Sequence, residues 1–122
     1  MSKRAAGVKP TNITLLGFSR GGEITAYTSS ALKHLNINTI LLATCWTGGG
    51  QSRPAITFSG HFLSVFETTD RASSCKKIAL RSGELLSFEE VTISTGKEHG
   101  AFFKPMQEWI VPVKLWLKSK GS

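Results

Sequence analysis

The sequence predicts an α/β domain, a three-layer sandwich around a four-stranded parallel sheet whose strands follow one another in chain order. Three observations carry this reading. Short runs rich in β-branched and aliphatic residues recur at intervals that leave room for a helix between them. The earlier runs are apolar on both phases, as strands covered on both faces are. The chain ends in an amphipathic helix, with lysines opposite an apolar stripe.

Residues 1–11 read as a polar lead-in, and residues 12–120 as one domain. Residues 12–16, Asn-Ile-Thr-Leu-Leu, form the first predicted strand. Gly17, Gly21 and Gly22 close it and open a helix from about Arg20 to His34, with Ile24, Tyr27, Ala31 and Leu32 at helical spacing. Residues 37–43 form the second strand, followed by a loop through Gly48, Gly49 and Gly50 to Pro54. Residues 61–67 form the third, and a helix is expected around Cys75 to Arg81. Residues 88–94 alternate, which marks a fourth strand with one wetter face. In the last helix Met106, Trp109, Ile110, Val113, Trp116 and Leu117 share a face. Pro105 suits its start, and Pro112 predicts either a kink or a regular part that begins near Glu108.

Composition narrows the function classes. A chain of 122 residues, 40% hydrophobic and 19% charged, is that of a soluble globular domain. No apolar run approaches the roughly 20 residues that span a bilayer, so no membrane span is expected. The basic start has no apolar segment behind it, which argues against a secretory leader and for a cytoplasmic location. The three histidines do not join the two cysteines at zinc spacing, so no metal site is expected. Cys45 and Cys75 follow the ends of the second and third strands, where a bridge is geometrically open. Without an export signal, reduced thiols are the expectation. The net charge of +7 is scattered along the chain, which fits solvated faces better than a nucleic-acid surface.

The chemistry is concentrated in three short segments. Gly17-Phe18-Ser19-Arg20-Gly21 places a Gly-x-Ser-x-Gly pattern directly after a strand and at the head of a helix. Such a turn lifts the serine hydroxyl above the sheet, and glycines two residues either side are expected because a Cβ there would clash. The Arg20 amide, at the helix start, can face a developing oxyanion. A nucleophilic serine needs a base, and the base an orienting acid. Asp70 follows the third strand and His99 the fourth, each just past the carboxyl edge where parallel sheets gather their sites. Glu67 is the reserve acid. Arg20 and Arg71 could meet an anionic substrate.

These segments resemble the carboxyl-terminal half of an α/β-hydrolase. Residues 17–22 are similar to the nucleophile elbow, residues 67–70 to the acid loop and residues 98–102 to the histidine loop. The resemblance implies Ser19 as nucleophile, His99 as base and Asp70 as orienting acid. It implies a small-molecule ester or acyl substrate and no cofactor. The family carries several strands before the elbow, where this sequence offers only residues 1–11. Homo-oligomerisation, or a chain that supplies the missing half and its second oxyanion donor, is therefore expected. The alternative is a non-catalytic hydrolase-fold module used for binding or assembly.

Overall fold

The computed structural model describes residues 13–46 and 56–120. The lead-in and the loop at Gly48, Gly49 and Gly50 lie outside the described residues. The elements run β1 (Thr14–Phe18), α1 (Arg20–Ala31), β2 (Asn38–Leu42) and β3 (Cys45–Trp46). They continue with β4 (Ser59–Glu67), β5 (Ala72–Ser73), α2 (Lys76–Leu80), β6 (Glu84–Ile93) and α3 (Gln107–Ser119). Single 3-10 turns occupy Lys33–Leu35 and Glu98–Phe102.

β1, β2, β4 and β6 form one parallel sheet in that order. The chain is thus α/β with a four-stranded parallel sheet and helices on both faces. β2, between β1 and β4, is buried at all five positions. Its side chains alternate faces, as the strand period of two requires. Ile40 and Leu42 join Leu63, Val65, Val113 and Trp116 beneath α3. Leu41 joins Ala26 of α1, with Phe62 and Cys75, on the opposite face. Burial of these side chains is worth about 1.5–3 kcal/mol each, so the sheet interior is the main source of stability.

The buried face of α1 is not its apolar residues. Gly22, Ala26 and Ser29 point inward, while Ile24 is 67% exposed. Close approach to the sheet selects small side chains here. A Cβ on Gly22 would meet Thr44 Oγ1 at 1.8 Å. Ser29 Oγ donates to the Ser59 carbonyl at 3.2 Å, and Ser59 Oγ returns a bond to the Ser29 carbonyl at 3.0 Å. α3 runs without interruption through Pro112, starting from Met106 as its cap residue.

The two-residue strands β3 and β5 pair antiparallel, with Cys45 opposite Ser73 and Trp46 opposite Ala72. That pairing brings Cys45 and Cys75 together as a disulfide, with Cα atoms 5.2 Å apart. The expectation of reduced thiols is corrected. A second tie lies next to it: the Glu90 carboxylate accepts from Ser74 Oγ at 2.6 Å and from the Cys75 amide at 2.7 Å. No helix among the described residues is long and apolar enough to cross a membrane.

Candidate active site

The sheet register decides what meets at its carboxyl edge. Phe18 lies opposite Leu42, and Leu42 opposite Val65, so the loops after β1, β2 and β4 leave the sheet side by side. The loop after β6 joins them, because Glu67 lies opposite Ile93.

Ser19 occupies the turn between β1 and α1 with φ 56° and ψ −120°, a left-handed conformation that non-glycine residues rarely adopt. Its amide donates to the Leu42 carbonyl at 2.8 Å, and its carbonyl accepts from the Gly22 amide at 3.0 Å. Two close approaches force this turn. A Cβ on Gly17 would lie 2.6 Å from Gly22 Cα, and one on Gly22 would run into Thr44. Gly21, by contrast, has no atom within 4 Å of where its Cβ would sit. The steric reason expected for Gly21 therefore belongs to Gly22. Arg20, the first residue of α1, is exposed and carries the amide that follows the serine.

The structure brings the three sequence-predicted side chains into one chain of hydrogen bonds. His99 Nε2 lies 3.0 Å from Ser19 Oγ, and His99 Nδ1 lies 2.7 Å from Asp70 Oδ2. Asp70 is almost fully buried, whereas about a third of the imidazole faces solvent. The other Asp70 oxygen accepts from the Ala72 amide at 3.3 Å. With Asp70 ionised, Nδ1 carries the proton and Nε2 is left to accept from the serine hydroxyl.

Three aromatic rings surround the imidazole. Phe18 lies 4.8 Å from it between centroids, Trp46 5.7 Å and Phe103 6.2 Å. Phe103 is 71% exposed and Trp46 40% exposed, so both offer apolar surface beside the serine.

Glu67, the reserve acid, does not touch His99. It is completely buried at the end of β4 and accepts five hydrogen bonds. Oε1 takes the Thr69 amide and hydroxyl, and Oε2 takes the amides of Thr95 and Gly96 with the Thr95 hydroxyl. Burial alone would raise its pKa, but the Thr69 and Thr95 donors outweigh burial and hold it at about 2.

Sequence reasoning missed Trp46, Phe103 and the role of Gly22. It also read Glu67 only as the reserve acid, not as a link between two loops. One signal was available: Leu63, Val65 and Glu67 share the inward phase of one strand, so a carboxylate falls on a buried face and needs donors. Outside the site, His61 is partly buried, with Nδ1 2.7 Å from Ser87 Oγ. Among the described residues no group of three or more His, Cys, Asp or Glu side chains could hold a metal ion. No protein-family model, no curated protein and no solved structure matches this chain.

Proposed function

We propose that this chain is a serine hydrolase of the α/β-hydrolase type, cleaving an ester or related acyl bond through an acyl-enzyme. The observation that supports the reading is the Ser19–His99–Asp70 relay, with bonds of 3.0 and 2.7 Å, on a strained strand-to-helix turn. Ser19 Oγ attacks the acyl carbon while His99 Nε2 takes its proton. Asp70 holds the tautomer and stabilises the imidazolium that forms. The tetrahedral oxyanion falls toward the Arg20 amide at the positive end of α1. On collapse His99 returns the proton to the leaving alcohol, and water repeats the sequence on the acyl-serine. Trp46 and Phe103 provide an apolar wall for the acyl or alcohol group.

Arg20 is one oxyanion donor, and losing one of a pair costs about 10²–10³ in turnover. In this reading a second copy covers the β1 edge, where Leu16 is 53% exposed. Sedimentation equilibrium is expected to show self-association at high micromolar concentration. A strict monomer would remove the homo-oligomer from the reading.

Cys45–Cys75 pairing is the chemistry of an oxidising compartment, which favours that setting over the cytoplasm. The decisive test is labelling by a fluorophosphonate. Labelling of the wild type that disappears in Ser19→Ala is expected. Equal labelling of both proteins would eliminate Ser19 as the nucleophile.

A further inference from the structure

Glu67 touches neither Ser19 nor His99, yet its buried carboxylate joins the two loops carrying Asp70 and His99. Each of its oxygens serves one loop. Oε1 binds Thr69, the residue before Asp70, by amide at 2.6 Å and hydroxyl at 2.5 Å. Oε2 binds Thr95 and Gly96, which lead into the His99 turn, at 2.6, 2.9 and 2.8 Å. The backbone repeats the pattern, since the Glu67 carbonyl accepts from the Asp70 amide at 3.1 Å. The Thr68 amide also reaches across to the Ile93 carbonyl at 2.9 Å.

The histidine loop needs an external tie. Gly96 has φ 73° and Glu98 φ 52°, so two of the four residues from 96 to 99 sit in the left-handed region. For Glu98, a non-glycine, that conformation is unfavourable and persists only where surrounding contacts determine it. Glu67 supplies three of those contacts immediately upstream. With every donor a neutral amide or hydroxyl, the clamp is sound only while Glu67 is an acceptor at both oxygens.

We propose that Glu67 is the positioning residue of this site: it sets the separation of Asp70 from His99 by clamping their loops together. The inference rests on the hydrolase reading for its kinetic consequence, but not for its geometry. It also explains why this acid cannot serve as the orienting carboxylate, since both of its oxygens are occupied by loop donors. Glu67→Gln replaces one acceptor oxygen by an NH₂ donor, which leaves the donors of one loop facing another donor.

The test separates the clamp from the catalysis by reading the imidazole directly. Long-range ¹H–¹⁵N spectra of the full chain report the His99 tautomer, assigned against His99→Ala. The wild type is expected to show a proton fixed on Nδ1, and folded Glu67→Gln a mixture of tautomers. Thr95→Val, which removes a single hydroxyl from the clamp, is expected to fall between them and decides the matter if Glu67→Gln does not fold. On nitrophenyl esters, displacing a reacting group by about 1 Å costs about 10²-fold, and here the loss is expected in kcat with KM little changed. If the wild type hydrolyses nothing and escapes the fluorophosphonate, the hydrolase reading fails while the tautomer comparison still judges the clamp. A mixed tautomer in the wild type, or a fixed Nδ1 proton in the folded variants, would overturn the proposal.

Discussion

After β1, Ser19 is held by backbone geometry, whereas after β4 and β6 the loops that carry Asp70 and His99 are held by side chains. The Ser19 turn is set by the backbone: its left-handed φ is enforced by Gly17, Gly22 and a bond to Leu42. Asp70 and His99 instead stand in loops tied to each other by Glu67, and the segment after Asp70 is tied further by the Cys45–Cys75 disulfide and by Glu90 of β6, which accepts from Ser74 and Cys75 ahead of α2. The two regions also differ in cover. Glu67 is fully buried, while Leu16 and Ile24 are more than half exposed. The difference teaches that a relay can be assembled from one rigid turn and two braced loops, each open to separate perturbation.

The largest effect belongs to the relay itself. Ser19→Ala and His99→Ala are each expected to lower ester turnover by about 10⁴-fold or more, with the double variant scarcely worse than either single one. Additive losses would mean that the two side chains do not act as a unit. Steady-state kinetics on a nitrophenyl ester decides it.

Next comes the disulfide, which closes a loop of sequence separation 30. Chain entropy alone assigns such a crosslink about 3–4 kcal/mol. Cys45→Ser with Cys75→Ser is expected to lose about that much in urea denaturation. Turnover should fall as well, because β3 and β5 hold Trp46 and the Asp70 loop together. Two free thiols in the unfolded, unreduced wild type would show that the bridge is not formed.

The braced region also carries an acid dependence. The Glu67 carboxyl is held at about 2 in the folded chain against an ordinary 4.5, because the Thr69 and Thr95 donors outweigh the burial that would raise it. A depressed carboxyl stabilises the fold fully above its unfolded pKa, and that contribution is lost as pH falls through the folded one. Stability should therefore decline from about pH 4.5 toward pH 2, with one proton taken up on unfolding. Glu67→Gln should be less stable at neutral pH and lack this component of the decline. Parallel pH curves for the two proteins would mean that Glu67 is not the responsible group.

The contrast also explains what was legible in the sequence. The earlier parallel strands could be read because their apolar residues fill both phases and the last because it alternates, and Ser19, Asp70 and His99 because each follows a strand that could be seen. β3 and β5 could not be read, since two residues carry no period. The Cys45–Cys75 bridge was open on strand geometry, but the antiparallel pair that brings the two residues together was not visible, and the missing export signal favoured reduced thiols. The inward face of α1 was hidden for another reason. Close packing favours Gly22, Ala26 and Ser29, whereas an apolar pattern points to Ile24 and Tyr27. Glu67 was visible as an acid, but its role depends on Thr95 and Gly96, 28 and 29 residues away.

The smallest effects, and the sharpest contrast, lie within one turn of α1. Gly21 and Gly22 are adjacent in sequence but meet different surroundings. A methyl group on Gly22 would lie 1.8 Å from Thr44 Oγ1 and 2.8 Å from Thr44 Cβ, so the helix or the Thr44 turn after β2 must shift. Overpacking of this kind costs about 1–3 kcal/mol, and a shift here would also move Ser19. A methyl on Gly21 would meet open space, and Gly21 has no positive φ that would strain it. Gly21→Ala is therefore expected to stabilise the chain by about 0.4–1 kcal/mol, through lower entropy of the unfolded state. Gly22→Ala should be partly rescued by Thr44→Ala, which removes the nearer atom but keeps Cβ. Urea denaturation of the four proteins orders them. Equal stability of the two glycine variants would show that α1 does not approach Thr44 at Gly22, and would leave the left-handed Ser19 without one of its steric causes.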